Sequence, residues 1–319
     1  MNNAIWLTWE NQMRNKSMAS AFGIPLHVID YKGKRLIRYI VCMKRTLMIL
    51  LYERPKVVFA QNPSIVLNYF LLLLRPIFRY SFISDAHFGG IEAYNGSRLF
   101  QMALDLNNRC ADAVIVTNND HALHVKRLGG KAFVCEDPLP DISRYAKPSH
   151  EEEKIVFFVC SYDIDEPYTV AFDAAKNLMS DGFGFYVSGN YRKADIHPED
   201  YPHIHFIGYV SESEFYAYLY KSQVVLDLTT KENCLVCGAY EAMAAERPLV
   251  TSNSEVLKRY FHKGTVFTEH NVQSIARSIR YAYDHRQELR DYINEWKSQA
   301  IIDNNEKIRS IIHFLQQGG

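Results

Sequence analysis

Twice along these 319 residues, six short runs rich in Val, Ile and Phe alternate with longer stretches of helical period. The first series falls at 4–8, 26–29, 57–60, 80–84, 113–117 and 132–135. The second falls at 155–160, 184–188, 204–207, 224–228, 248–251 and 265–267. Runs that stay apolar without alternating belong to strands buried on both faces, and helices between them make the connections of a parallel sheet. The pattern therefore predicts an α/β protein of two Rossmann-like domains. Between the series, residues 137–154 read DPLPDISRYAKPSHEEEK, with three prolines, an acidic cluster and no period, which predicts a linker. The domains are expected at 1–145 and 151–302. The segment after Asn271 is helical by pattern to Gln317, and residues 303–319 are expected to pack back on the first domain.

An apolar content of 48% can fill two cores, and 36 basic against 36 acidic side chains exclude a chain-wide field for nucleic acid. The distribution is uneven. Residues 1–145 hold 18 Lys plus Arg against 11 Asp plus Glu, a net of +7, which the remainder balances. An anionic surface or substrate is thus expected at the first half. Most of that charge lies in Tyr31 to Lys56, where Lys32, Lys34, Arg35, Arg38, Lys44 and Arg45 interleave with Leu36, Ile37, Ile40, Val41, Met43 and Leu47. Such a helix can lie on an anionic membrane, or it can pack its apolar side on the sheet. Cysteines 42, 110, 135, 160, 234 and 237 are scattered, and the first twelve residues lack a signal pattern. The longest apolar run, 65–74, is too short to cross a bilayer. These features predict a cytoplasmic protein, at most resting on the inner face of the membrane.

Ligands of open α/β sheets bind just beyond the carboxyl ends of the strands. In DLTTKENCLVCGAYEAMAAERPLVTS, a strand breaks into a polar turn and a helix starts near a glycine, a layout that aims backbone N–H groups at an anion such as a diphosphate. Glu241, one turn into that helix, can accept hydrogen bonds from a ribose diol. EAMAAERPLVTS from Glu241 to Ser252 resembles the donor signature of the GT-B glycosyltransferases of the retaining, group 1 kind. The resemblance implies two Rossmann-like domains facing across a cleft, with a nucleotide-sugar donor on the second. It implies transfer of a sugar to a saccharide or lipid-linked acceptor in surface polysaccharide or glycoconjugate synthesis, with retained configuration and no metal or other cofactor.

Relatives space two acids eight positions apart; here Asn233 stands eight before Glu241 and Glu232 nine before. Cys234 and Val236 replace turn glycines, leaving Gly238. Where relatives carry a Gly-Arg turn and a phosphate-binding lysine, this chain has VCSYDIDEPYT with Ser161 and no cation. Arg192 and Lys193, after Gly189, are the alternative cations, Arg192 first. Tyr240 completes the donor-side set. In the first half, FISDAHFGG offers His87 with Asp85 beside it as catalytic groups. Glu10, Asn62 and Gly89 follow strands where an acceptor is expected. Cys234 and Cys237 form an isolated Cys-x-x-Cys without a partner pair at zinc spacing, and His203 and His205 read as structural. Two other functions stay open: a nucleotide-sugar epimerase or hydrolase on the same architecture, and a non-catalytic relative that binds a membrane or partner. No G-x-G-x-x-G follows the strands that open either half, which disfavours a Rossmann oxidoreductase.

Overall fold

The computed structural model describes residues 3–93, 96–145 and 154–317, so the middle of the predicted linker, 146–153, lies outside the described residues. The chain forms two compact units, Met1–Pro138 with Ile301–Gly319, and Leu139–Ala300. Residues before 146 already belong to the second unit: Ile142 is buried in its core, and Tyr145 stacks on Tyr216 at 4.5 Å.

In the first unit, strands β1 (Ala4–Thr8), β2 (Leu26–Val28), β3 (Val57–Asn62), β4 (Ser81–Ala86), β5 (Ala113–Val116) and β6 (Ala132–Val134) form one parallel sheet in the order β2-β1-β3-β4-β5-β6. Helices α1 (Met13–Phe22), α2 (Arg35–Glu53), α3 (Ile65–Phe78), α4 (Phe88–Ile91), α5 (Arg98–Cys110) and α6 (Asn119–Arg127) connect them. The burial explains the unbroken apolar runs. Along β1, Ile5 and Leu7 enter one core with Val58 and Phe82, whereas Ala4 and Trp6 enter another with Phe59 and Ile83. Both faces of the central strands are covered, so their middle positions are mostly apolar and polar residues gather towards the strand ends.

The second unit repeats the design with β7 (Ile155–Phe158), β8 (Gly184–Ser188), β9 (Ile204–Gly208), β10 (Val224–Asp227), β11 (Leu249–Ser252) and β12 (Thr265–Thr268), all parallel, in the order β12-β11-β10-β7-β8-β9. Its helices are α7 (Tyr168–Met179), α8 (Glu212–Lys221), α9 (Cys237–Ala244), α10 (Glu255–Tyr260), α11 (Val272–Asp284) and α12 (Arg286–Gln316). Again neighbouring residues part company: Val156 and Phe158 face one core and Phe157 the other. Ser211 and Glu214 form a capping box that starts α8 where the sequence turns from strand to helix.

The last segment is two helices rather than one continuous helix, broken at His285. Ile275, Ala276, Ile279 and Ala282 of α11 fill the second unit's core. Within α12, Ile293 and Trp296 are buried in the second unit, while Ile308 and Ile311 are buried in the first with Ile312 and Leu315 against them. Strand order reverses between β1 and β3 in one sheet and between β7 and β10 in the other, and ligands of such sheets bind outside the strand ends at these reversals.

Candidate functional site

At the second unit's reversal, the loop after β7 is folded round a carboxylate of its own. The backbone N–H groups of Ser161 and Asp163 donate to Glu166 Oε2 at 2.9 and 3.1 Å, and Ser161 Oγ lies 2.9 Å from Glu166 Oε1. The neighbouring Asp165 ties this loop to the one after β10: Thr229 Oγ1 donates to it at 2.9 Å, Lys231 Nζ stands 3.0 Å away, and the Thr230 amide donates to its backbone oxygen. The Ser161 amide is thus engaged by Glu166, and its hydroxyl lies between Glu166 Oε1 at 2.9 Å and Asp163 Oδ2 at 3.0 Å.

A similar engagement is found at α9. The sequence layout has the Gly238 amide facing a diphosphate; in the structure the amides of Gly238 and Ala239 bond to the carboxyl of Asp227, at the end of β10. Asp227 is 5% exposed. Burial, reinforced by the charges of Glu166 and Glu241, holds its pKa well above the ordinary carboxylate range. Gly238 is required for a steric reason: a Cβ there would lie 2.6 Å from Asp227 Oδ2 and 2.8 Å from Val159 Cβ. Gly238→Ala should push Asp227 off the helix end and cost about 1–3 kcal/mol, measurable by urea unfolding; a change below 0.5 kcal/mol, about the size of an ordinary surface substitution, would contradict this packing.

Glu241 lies one turn into α9 and is half-buried. Its carboxyl accepts no hydrogen bond among the described residues, and burial, with the charge of Glu212 as a second cause, pushes its pKa up to about 8. It is an acceptor with its bonding capacity unspent. Tyr240, placed in the donor set by sequence, points instead into the core, where its ring meets Phe261 at 5.1 Å and Tyr260 at 5.6 Å. In the β10–α9 turn, Asn233 is half-buried and Glu232 exposed. Glu232 is near enough to His270 to oppose the lowering of its pKa by burial. His270 and the Thr229 amide share Ser252 Oγ at 2.8 and 2.9 Å, which joins the ends of β10, β11 and β12.

After β8, Gly189 has φ +88°, and a Cβ would fall 2.0 Å from the Cys160 oxygen, so only glycine lets the β7 and β8 loops close together. The two cations that follow differ. Lys193 forms an ion pair with Asp163 of the β7 loop, while Arg192 is exposed and lies over the Tyr191 ring at 5.2 Å. The cations tied to the reversal are thus Lys193 and Lys231, the second of which sequence reading did not single out.

In the first unit, Asp85 has no exposure and receives Arg14 in a two-pronged pair, Nε to Oδ2 at 2.9 Å and Nη2 to Oδ1 at 2.6 Å; Arg14 also pairs with Asp137. Both oxygens of Asp85 are thus engaged by Arg14 inside the fold. His87 caps the start of α4 and is half-buried, its Nδ1 enclosed without a partner among the described residues. Burial and then the charge of Arg14 lower its pKa, so the neutral ring prevails at neutral pH. Asn62 is also structural: it is fully buried, and its amide lies within 3.0–3.3 Å of Asn108, Asn107 and the Gly90 oxygen. Gly89 is buried in α4, and at Gly90 a Cβ would strike the Asn62 oxygen at 2.0 Å, which accounts for the second glycine of the pair. Glu10 alone of the acceptor-side candidates is open to solvent. It accepts from Gln12 at 2.8 Å and borders a groove of about 600 Å³ with Arg35, Arg38, Tyr39 and Ser64. Among the described residues no three His, Cys, Asp or Glu side chains converge as metal ligands.

Two parallel six-stranded sheets of this topology, each wrapped by helices, make the GT-B fold. The chain superposes with a TM-score of 0.77 on sucrose-phosphate synthase of Thermosynechococcus elongatus, at 12% identity over 99% of both chains. Against Anabaena HepE in complex with UDP and glucose the TM-score is 0.71, at 13% identity over 98% of this chain and 99% of that one. A putative UDP-N-acetylglucosamine 2-epimerase from Listeria monocytogenes gives 0.67, at 12% identity over 100% and 97%. Curated protein sequences give no match. Residues 141–299, which lie within the second unit, match the family model for glycosyl transferases group 1, and the protein is a glycosyltransferase.

Proposed function

We propose that the protein moves a sugar from a nucleotide-sugar donor, held by the second unit, to a saccharide or lipid-linked acceptor met by the first. The solved complex of Anabaena HepE with UDP and glucose supports a donor of this class. Glu241 carries the reading: an unspent carboxyl, one turn into the helix that follows the reversal, suits a ribose diol. Lys193 and Lys231 would leave Asp163 and Asp165 for the diphosphate and stabilise it as the glycosidic bond breaks, supplying the charge without a metal. His87, neutral at physiological pH, is the first unit's candidate for contact with the reacting sugar. Resemblance to the retaining members supports front-face attack, with the leaving phosphate taking the acceptor's proton.

A role in surface polysaccharide synthesis at the inner face of the cytoplasmic membrane fits the outer side of α2. Cys42, Thr46 and Leu50 turn inward, yet Leu36, Ile37, Ile40, Met48 and Leu51 are exposed beside the basic residues. No helix among the described residues is long and apolar enough to cross a membrane.

A nucleotide that bonds to the Glu241 carboxylate must first expel its proton. Calorimetric titration with UDP, GDP, ADP and CMP at pH 7, in buffers of different ionisation enthalpy, should find at least one that binds and releases close to one proton. Glu241→Gln should abolish the release. Binding by none of the four would overturn the reading.

A further inference from the structure

Where the first sheet reverses, the groove of about 600 Å³ opens between the ends of β1 and β3. Its charged groups are Glu10, Arg35 and Arg38. Arg38 Nη2 donates to the Trp9 oxygen at 3.0 Å and stands 3.8 Å from Glu10 Oε1, which fixes its guanidinium at the groove wall. Arg35, one turn earlier on α2, is exposed. Tyr39 supplies an aromatic face, braced against Trp9 at 6.2 Å, and Ser64 adds a hydroxyl where α3 begins.

Each component has a partner in one kind of molecule. Guanidinium groups recognise phosphate oxygens by paired hydrogen bonds. A carboxylate beside them accepts from sugar hydroxyls, and an aromatic ring covers an apolar sugar face. The volume lies within the range of small-molecule sites. Arg38 already pairs with Glu10, so a neutral saccharide would leave Arg35 without an anion, and an unglycosylated phosphate would leave Glu10 facing the same charge sign. Leu99, 79% exposed, also lines the groove, and Leu36 and Ile40, 77% and 66% exposed, follow Arg35 and Tyr39 along α2.

We propose that this groove is the acceptor site and that it binds a sugar bearing a phosphate, with Arg35 and Arg38 as ligands of the phosphate and Glu10 as acceptor for a hydroxyl. The proposal rests on the transferase reading above. The phosphate has two sources, a soluble glycosyl phosphate or a lipid headgroup.

The test uses the full chain and two probes: glucose 1-phosphate in solution, and phosphatidylcholine vesicles with and without a polyprenyl glucosyl phosphate. At least one probe should bind, glucose itself should not, and Arg35→Gln and Arg38→Gln should each weaken binding by about tenfold or more. Nucleotide affinity should stay unchanged in both variants. Binding of glucose 1-phosphate identifies a soluble source, and binding only to the vesicles that carry the polyprenyl glucosyl phosphate identifies a lipid. If neither probe binds the wild-type chain, or if Arg35→Gln binds like wild type, the proposal fails. Arg35 is exposed, so its variant should fold even if Arg38→Gln does not. Loss of nucleotide binding by the wild-type chain would instead strike the donor reading, so the two failures are distinguishable.

Discussion

Glutamine at position 241 should make the protein more stable at pH 8 and remove most of its nucleotide affinity. The sign follows from the raised pKa. A carboxyl that titrates near 4.5 when unfolded and at about 8 when folded binds more protons in the native state between those values. Its contribution is complete below the unfolded pKa and is lost as pH rises through 8, by at most about 5 kcal/mol. Glutamine has no proton to lose, so the part of the pH dependence that comes from position 241 should vanish in the variant, whose stability should fall less steeply than the wild type's over that window. Urea unfolding of both proteins from pH 5 to 9 checks this; parallel curves would contradict it. The functional loss comes from the same group. Hydrogen bonds to a charged partner contribute about 1.5–3 kcal/mol, so affinity for the preferred nucleotide should fall by about one to two orders of magnitude. Stability gained where function is lost is the usual sign of a site kept under strain for its ligand.

Arg14→Met should have the largest effect on stability. The substitution leaves Asp85, which has no exposure, without its two-pronged partner and frees Asp137 from its pair. Removing one member of a buried pair costs about 3–5 kcal/mol, because the remaining charge stays desolvated. For a unit of this size the melting temperature should drop by about 10 °C. Adding Asp85→Leu to the same chain should recover most of the loss. If Arg14→Met melts within 2 °C of wild type, about the shift expected of 1 kcal/mol or less, the pair does not hold the strand ends together.

The fold was legible because both faces of each sheet are covered, so all twelve strands appear as apolar runs. Strand ends were less so. β3 and β4 extend through Gln61, Asn62, Asp85 and Ala86, polar or small residues that read as loop until their buried partners are known. Asp85 finds Arg14 seventy-one residues away, a distance no local pattern reports. The break at His285 is hidden because the apolar period continues on both sides of it.

Part of the site was legible too. The segment from Glu241 onward carries its family resemblance in consecutive residues. Glu166 and Asp227 do not stand out, since an acid in a turn usually faces water. Whether it instead closes on amides five residues back, as Glu166 does at Ser161, depends on the turn's dihedral angles. The same applies to Lys231, whose place beside Asp165 is set by two loops from different strands.

Hydrogen exchange with and without saturating nucleoside diphosphate addresses the central assignment most directly. The ligand that raises the melting temperature most among UDP, GDP, ADP and CMP should slow exchange in residues 228–241 of the second unit. At a hundred times its dissociation constant it should stabilise the protein by about 2.7 kcal/mol. Protection confined to the first unit, or no protection by any of the four, would contradict the account.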